Sequence, residues 1–103
     1  MDYNSIFDEL KKKHNVIYWL DIPASDESEA KVIFLRKMDR LTYSAGQKIL
    51  EKDTLQAAEM MIKSLFIGGD DLAPIFADFD QFRVTADLMA EVMATKSGNV
   101  RKL

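Results

Sequence analysis

The hydrophobic pattern of the chain begins with a helical period. Tyr3, Phe7 and Leu10 stand at positions i, i+4 and i+7, and Ile6 lies beside them. This spacing puts the apolar side chains on one face of a helix and predicts a helix over residues 3–13. Two acidic residues precede three lysines along the segment, which is the order that the helix dipole favours.

Two strand patterns follow this helix. Residues 16–22 (VIYWLDI) and residues 31–37 (KVIFLRK) are rich in β-branched and aromatic side chains. The polar segment 23–28 between them is typical of a turn, so we predict an antiparallel hairpin. Val32 and Phe34 then share one face of the sheet. Because both faces are partly apolar, we expect helices to cover one face and further structure to cover part of the other.

From Asp39 onward the apolar period lengthens from two residues to 3.6, which predicts helices. Asp39 can cap a helix that carries Leu41, Ala45 and Ile49, with Tyr43 and Leu50 flanking them.

A capping box with aspartate in the first position, Asp53-Thr54-Leu55-Gln56, opens the next helix. We expect this helix to end at Gly68-Gly69, because glycine is the usual residue at the left-handed C′ position. Its predicted apolar stripe consists of Leu55, Ala58, Ile62, Leu65 and Phe66.

The last part of the chain predicts a short turn followed by a long helix. Asp70-Asp71 can cap the turn, which holds Leu72, Ile75, Phe76 and Phe79. The final helix is predicted over residues 80–96, with Phe82, Ala86, Met89 and Met93 on one stripe. It should stop at Ser97-Gly98-Asn99, before a basic tail over residues 100–103.

Together these elements predict one α+β domain over residues 1–103. It has an N-terminal helix, a two-stranded antiparallel β-hairpin and three to four helices packed on the hairpin. A two-stranded sheet is marginal alone, so helices must cover one face. The hairpin also leaves two free strand edges, which invite pairing with another chain. We therefore expect a homo-oligomer.

Composition narrows the function classes. Of the 103 residues, 48% are hydrophobic and 30% are charged, and there is no cysteine, which fits a reducing compartment. A net charge of −3 without a basic stripe argues against nucleic acid as a partner. The N-terminal segment lacks the pattern of a signal peptide, and no apolar run is long enough for a bilayer. We expect a cytoplasmic protein with no membrane partner.

Catalytic and metal-binding patterns are weak. Nucleophilic catalysis needs a nucleophile, a base and an orienting group, but there is no cysteine and one histidine, His14, at a predicted helix end. A cluster of four aspartates could hold a hard cation, but the spacing does not match a calcium loop. Helix capping is the preferred explanation for this cluster, which consists of Asp70, Asp71, Asp78 and Asp80. We predict no catalytic residue, no metal and no cofactor.

Six methionines and ten aromatic residues are many for a chain of this size. Methionine fills irregular gaps in cores, and it also lines adaptable protein-binding surfaces. A core explanation is favoured for each residue taken singly. Leftover apolar surface nevertheless marks interaction sites. The candidate protein-binding residues are Met60, Met61, Phe76 and Phe79.

Three segments, in this order, resemble the tail assembly chaperones of long-tailed phages and prophages. They are Val32-Ile33-Phe34-Leu35-Arg36-Lys37-Met38-Asp39-Arg40, Ser64-Leu65-Phe66-Ile67-Gly68-Gly69-Asp70-Asp71 and Lys96-Ser97-Gly98-Asn99-Val100-Arg101-Lys102-Leu103. The similarity covers roughly residues 16–103. One departure is Met38, where proline is expected in the turn of the family.

The resemblance implies a small cytoplasmic protein of phage morphogenesis. Such a protein binds the tape measure protein, or another tail protein, and keeps it soluble during tail assembly. A long, helical, apolar client would aggregate if its stripes stayed uncovered. The alternative is a small bacterial adaptor or regulatory protein-binding module. An enzyme or small-ligand protein is the third hypothesis, and it requires a concave pocket with convergent polar groups.

Overall fold

The computed structural model describes residues 2–94, and the side chains of residues 2–91. The fold is α+β, as predicted, with helices on both faces of one sheet. Its elements in chain order are α1 (Tyr3–Lys11), β1 (Ile17–Ile22), β2 (Lys31–Arg36), α2 (Arg40–Leu50), α3 (Thr54–Leu65), β3 (Phe66–Gly69), α4 (Leu72–Ala77) and α5 (Phe79–Ala94). The predicted end of the last helix and the basic tail lie outside the described residues.

The sheet is antiparallel and has the strand order β1-β2-β3. β1 and β2 form the predicted hairpin, in a register that runs from Ile17 opposite Arg36 to Ile22 opposite Lys31. β3 pairs with the other edge of β2, with a bulge between Phe34 and Leu35. The sheet therefore has three strands, and the prediction of a two-stranded sheet was one strand short.

The third strand also corrects the predicted end of α3. That helix stops at Leu65, and residues 66–69 extend along β2 instead of continuing the helix to the glycines. The expectation of a positive φ at one glycine is confirmed, because Gly69 has φ 106°. A Cβ at Gly69 would lie 2.5 Å from the carbonyl oxygen of Val32. Glycine is thus required by strand pairing, not by a helix C-terminus.

The two faces of the sheet are covered by different helices. Ile33 and Leu35 point into the main core, together with buried side chains of α3, α4 and α5. Val32 and Phe34 point to the opposite face, where α1 packs on them. The predicted alternation along β2 is confirmed, and so is the expectation that both faces are covered. We call the set Ile17, Trp19, Val32, Phe34 and Ile67 on this opposite face the second face.

Most predicted core positions are buried, and two are not. Ile62, Leu65 and Phe34 are completely buried, as expected. Leu55 is 40% exposed, so its assignment to the core was wrong. Phe66 is only half-buried, because the chain leaves the helix at this residue and enters β3.

Two of the predicted helix caps are confirmed. The Asp39 carboxylate accepts a hydrogen bond from the backbone N–H of Thr42, and the Asp53 carboxylate accepts from those of Leu55 and Gln56. The Thr42 N–H, assisted by the Arg36 guanidinium, lowers the pKa of Asp39 to about 2. These caps fix where α2 and α3 begin.

The role predicted for Asp70 was wrong. Its carboxylate accepts hydrogen bonds from the Tyr3 hydroxyl and from the backbone N–H of Val32, so it joins α1 to the sheet. Asp71 stands at the N-cap position of α4 without a side-chain capping bond. Asp78 does serve the start of α5, because its carboxylate accepts from the N–H of Gln81.

The buried face of α2 also differs from the predicted stripe. Leu41 and Ala45 are exposed, whereas Thr42 and Gly46 are buried and Ile49 packs against the main core. The helix is turned this way because Gly46 lets α3 come close. A Cβ at that position would lie 2.5 Å from the sulfur of Met61.

Candidate functional site

A groove of about 490 Å³ lies between α2, α3 and α5. Its floor is formed by Ala58, Met61 and Met89, which are buried side chains of the main core. Apolar side chains from all three helices form the walls, so most of the surface that a ligand would meet is apolar. The wall residues are Tyr43, Leu50, Leu55, Ala86 and Ala90.

Small residues on facing helices explain why this region is concave. Ala58 lies on α3, while Ala86 and Ala90 lie one helical turn apart on α5. Each presents only a methyl group, so α3 and α5 meet over the core without filling the space above it. Leu50 and Leu55, at the α2–α3 connection, then rise as a wall at one side.

The rim of the groove carries one charge of each sign. The Arg83 guanidinium nitrogen lies 3.7 Å from the nearer Asp87 carboxylate oxygen, and both side chains are largely exposed. A pair this open to water contributes little to stability. The two groups can therefore reorient toward charges of a bound partner without a large cost to the fold.

Most of the large apolar side chains that are exposed belong to α2 and α3. Among the described residues, five large hydrophobic side chains are exposed, and four of them belong to α2 or to the first turns of α3. Leu41 is the most open of the four, with 84% of its surface exposed. Tyr43, Leu50 and Leu55 line the groove together, whereas Leu41 does not. Apolar side chains that are exposed together mark interaction surfaces more often than single exposed residues do. The four residues are Leu41, Tyr43, Leu50 and Leu55.

The four binding residues predicted from the sequence do not form one surface. Met61 is 4% exposed and lies at the floor of the groove, so it is largely buried in the isolated chain. Met60 and Phe76 are half-buried against the main core, and the Phe76 ring packs edge-on against Phe82 at 5.2 Å. Phe79 is 59% exposed and lies away from the groove.

Phe79 borders a smaller pocket of about 230 Å³ at the α4–α5 junction. The β1–β2 loop reaches this pocket, where the Ser25 hydroxyl donates to the Asp78 carboxylate. That hydrogen bond is the main reason why the pKa of Asp78 is lowered. The remaining carboxylates around the pocket are Asp26, Glu27 and Asp80. Asp78 therefore ties a loop to a helix start.

Within residues 2–94, no cluster of three or more histidine, cysteine, aspartate or glutamate side chains is arranged to hold a metal ion. None of the helices in that part of the chain combines the length and the apolar character needed to cross a membrane. No protein-family model matches the chain, and neither the curated proteins nor the solved structures contain a match.

Sequence reasoning missed most residues of the groove. Leu55 and Ala86 were placed on helix stripes and Leu50 beside one. Ala90 was not singled out. A useful signal was present in the small residues. Alanines at i and i+4 on one helix leave room beside it, but the sequence does not say which helix faces that room.

Proposed function

We propose that this protein is a protein-binding chaperone that holds an amphipathic helix of its client in the groove between α2, α3 and α5. The observation that supports the proposal is the groove itself, with an apolar floor and walls and opposite charges at one rim. Binding a helix by its apolar face in such a groove is a common mode of recognition.

The groove chemistry suits an adaptable client site. Met61 and Met89 lie at the floor, and unbranched thioether side chains adjust to apolar surfaces of different shape. Arg83 and Asp87 can pair with an acidic and a basic residue of the client, which would fix its direction. A bound helix would also cover Leu50 and Leu55, which water reaches in the isolated chain.

Following the resemblance described above, we propose that the client is a tape measure protein, or another tail protein, of a phage or prophage. The chaperone would act in the host cytoplasm during tail morphogenesis. We further propose that copies of the chain associate through the sheet, because β1 and β3 each have one edge without a partner strand among the described residues.

The test uses Ala90→Glu, which places a carboxylate in the groove from an exposed position of α5. The matched control is Ala45→Glu, at an exposed position of α2 that does not line the groove. Each chain is co-expressed with the tape measure protein encoded near its gene. The soluble fraction of that client and the thermal stability of the chaperone are then measured separately.

We expect Ala90→Glu to lower client solubility while its stability stays within about 0.5 kcal/mol of the unmodified chain. Ala45→Glu should leave both unchanged. If the two variants keep the client equally soluble, the groove is not the client site. If the unmodified chain does not solubilise any tail protein but binds an unrelated partner, the adaptor hypothesis replaces the chaperone.

A further inference from the structure

Helix α1 covers the second face of the sheet, yet none of its residues is buried. Four apolar side chains attach it, and each remains partly open to water. They stand at i, i+3, i+4 and i+7, so they form one narrow stripe along the helix. The four residues are Tyr3, Ile6, Phe7 and Leu10.

Polar ties between α1 and the rest of the fold are few. Within residues 2–94, one side-chain hydrogen bond joins α1 to a distant part of the chain, and it runs from the Tyr3 hydroxyl to the carboxylate of Asp70, just after β3. The ion pair of Lys12 with Glu9 stays within the segment. Apolar contact is therefore the main attachment of α1 to the sheet.

The second face is strongly aromatic. The Trp19 and Phe34 rings pack edge-on at 5.1 Å, and the Phe7 ring of α1 lies 5.4 Å from Trp19 and 5.9 Å from Phe34. Beside this cluster, α1 passes over Gly68, where the lack of a side chain makes room for Leu10. Departure of α1 would uncover these rings together with the aliphatic residues of the second face.

We propose that α1 is a displaceable cover, and that the second face beneath it binds an amphipathic helix of a partner protein. The partner helix carries apolar side chains at i, i+3, i+4 and i+7, with an aromatic ring at i+4. Helix α1 is itself the observation that defines this chemistry, because its own stripe already occupies the face.

The length of α1 makes exchange feasible. It has nine residues, and isolated helices shorter than about 12–15 residues are marginal in water. Once it leaves the sheet, α1 loses its helical structure, whereas a longer partner helix would keep its own. A partner helix with a tyrosine at the first apolar position could also replace the Tyr3 hydrogen bond to Asp70.

The second face and the groove lie on opposite sides of the sheet, because the groove floor belongs to the main core. The inference rests on the proposed function only in taking the partner to be a helical protein. Substitutions at Ala90 test the groove, while the experiment below reports on the second face alone.

Trp19 provides the readout, because it is the one tryptophan of the chain and it contacts α1. The variant Phe7→Ala in the full chain loosens the cover. The probe is a synthetic peptide with the sequence of residues 2–13, and its control is the same peptide carrying Phe7→Ala. Binding is followed by the emission of Trp19 in the protein, since neither peptide contains tryptophan.

A locked form of the protein completes the design. A Cβ at Gly68 would lie 3.2 Å from Cδ1 of Leu10, so the two side chains face each other and these positions are chosen for a disulfide. The chain has no other cysteine, so the double variant Leu10→Cys and Gly68→Cys can be oxidised without competing pairs. Oxidation should close the cover and reduction should release it.

We expect Phe7→Ala to shift the Trp19 emission toward that of a solvent-exposed indole, and the peptide of residues 2–13 to reverse the shift. The control peptide should bind at least about tenfold more weakly, as should the intact peptide when added to the oxidised double variant. Equal binding of the two peptides, or an unchanged Trp19 emission in Phe7→Ala, would overturn the proposal.

Two further outcomes decide between occupants and guard against misfolding of the variant. If oxidation of the double variant gives mainly disulfide-linked dimers, the occupant is α1 of a second copy, and the partner proposal is overturned.

Hydrogen exchange of the unmodified chain needs no variant. We expect the α1 amides to exchange by a local opening while β2 stays protected. Exchange of α1 only through global unfolding would contradict the displaceable cover.

Discussion

The two faces of the sheet are built from the same strands but closed in different ways. On one face, Leu35 of β2 and Ile62 and Leu65 of α3 are completely buried where α3, α4 and α5 pack on the sheet. On the other face, α1 closes the second face without burying any residue of its own. Strand alternation supplies both faces with apolar side chains, so this difference comes from the helices and not from the sheet.

Stability and adaptability reside on different faces of the sheet. A core in which several helices bury one another opens only when the domain unfolds, whereas a short, half-exposed helix can open alone. The groove lies above the closed core, and α1 lies on the loosely closed side. Binding in the groove thus relies on a core that stays closed, whereas binding to the second face relies on a helix that can open alone.

The largest expected loss of stability distinguishes the two faces of the sheet. Leu65→Ala should lower the free energy of unfolding by about 2–5 kcal/mol, because Leu65 is completely buried in the main core. Phe7→Ala should cost about 1–2 kcal/mol, since its ring is only partly buried and less apolar area returns to water. Denaturant unfolding measures both values. Equal losses would show that the faces contribute alike.

The next prediction concerns the two glycines of β3. Gly69→Ala should cost more than about 2 kcal/mol, because its φ of 106° disfavours a side chain and the new Cβ would meet the Val32 carbonyl oxygen. Gly68→Ala is the matched control. Its Cβ would approach Leu10 Cδ1, the end of a flexible side chain, so a cost below about 1 kcal/mol is expected. A reversed order would mean that β3 does not hold this register.

A buried polar residue secures the closed side. The side-chain amide of Gln81 donates to the carbonyl oxygens of Pro23 and Glu29, and its own oxygen accepts from the Lys31 ammonium. Gln81→Leu leaves these partners unsatisfied and should cost about 1–3 kcal/mol. Gln56→Leu, at an exposed position of α3, should stay within about 0.5 kcal/mol. A neutral result at position 81 would show that the β1–β2 loop is not held by this residue.

The smallest expected effect is a loosening of α1 at high pH. The hydrogen bond to Asp70 raises the pKa of the Tyr3 hydroxyl above its ordinary value of 10.0. Because the folded pKa is the higher one, this contribution is complete below pH 10 and is lost as the pH rises through the folded pKa. We expect α1 to loosen there while the main core persists. Trp19 emission and far-ultraviolet circular dichroism would follow the two events.

Tyr3→Phe is the control for that titration, since it removes the ionising group and keeps the ring. Its Trp19 emission should change less than that of the unmodified chain between pH 9 and pH 12, a range set by the ordinary tyrosine pKa of about 10. The same pH dependence in both chains would assign the change to other groups.

Local signals predicted much of the fold. The hairpin, the Asp39 and Asp53 caps and the alternation of Val32 and Phe34 depend on neighbouring residues, and all of them are confirmed. The third strand escaped detection because Phe66–Gly69 is short and follows a helix without a break. Its backbone groups find their partners on β2, more than thirty residues earlier in the chain.

The candidate site was less predictable than the fold. Met61 and Phe79 were selected by residue type, but one is at the floor of the groove and the other is on a different surface. Leu55 looked like a core residue because its spacing fits the α3 stripe. Its exposure is decided by how the helices pack in the folded chain, which no local pattern encodes.

The sequence by itself determined the hairpin, the helices, the Asp39 and Asp53 caps and which side chains of β2 share a face. These follow from backbone geometry and short-range hydrogen bonds, which act between residues close in the chain. Tertiary structure alone decided the third strand, the rotation of α2 around Gly46, the use of Asp70 as a tie to Tyr3 and the groove above Met89. Each of these depends on the approach of distant segments, where close packing and the need to satisfy backbone groups select one arrangement among several that the pattern allows.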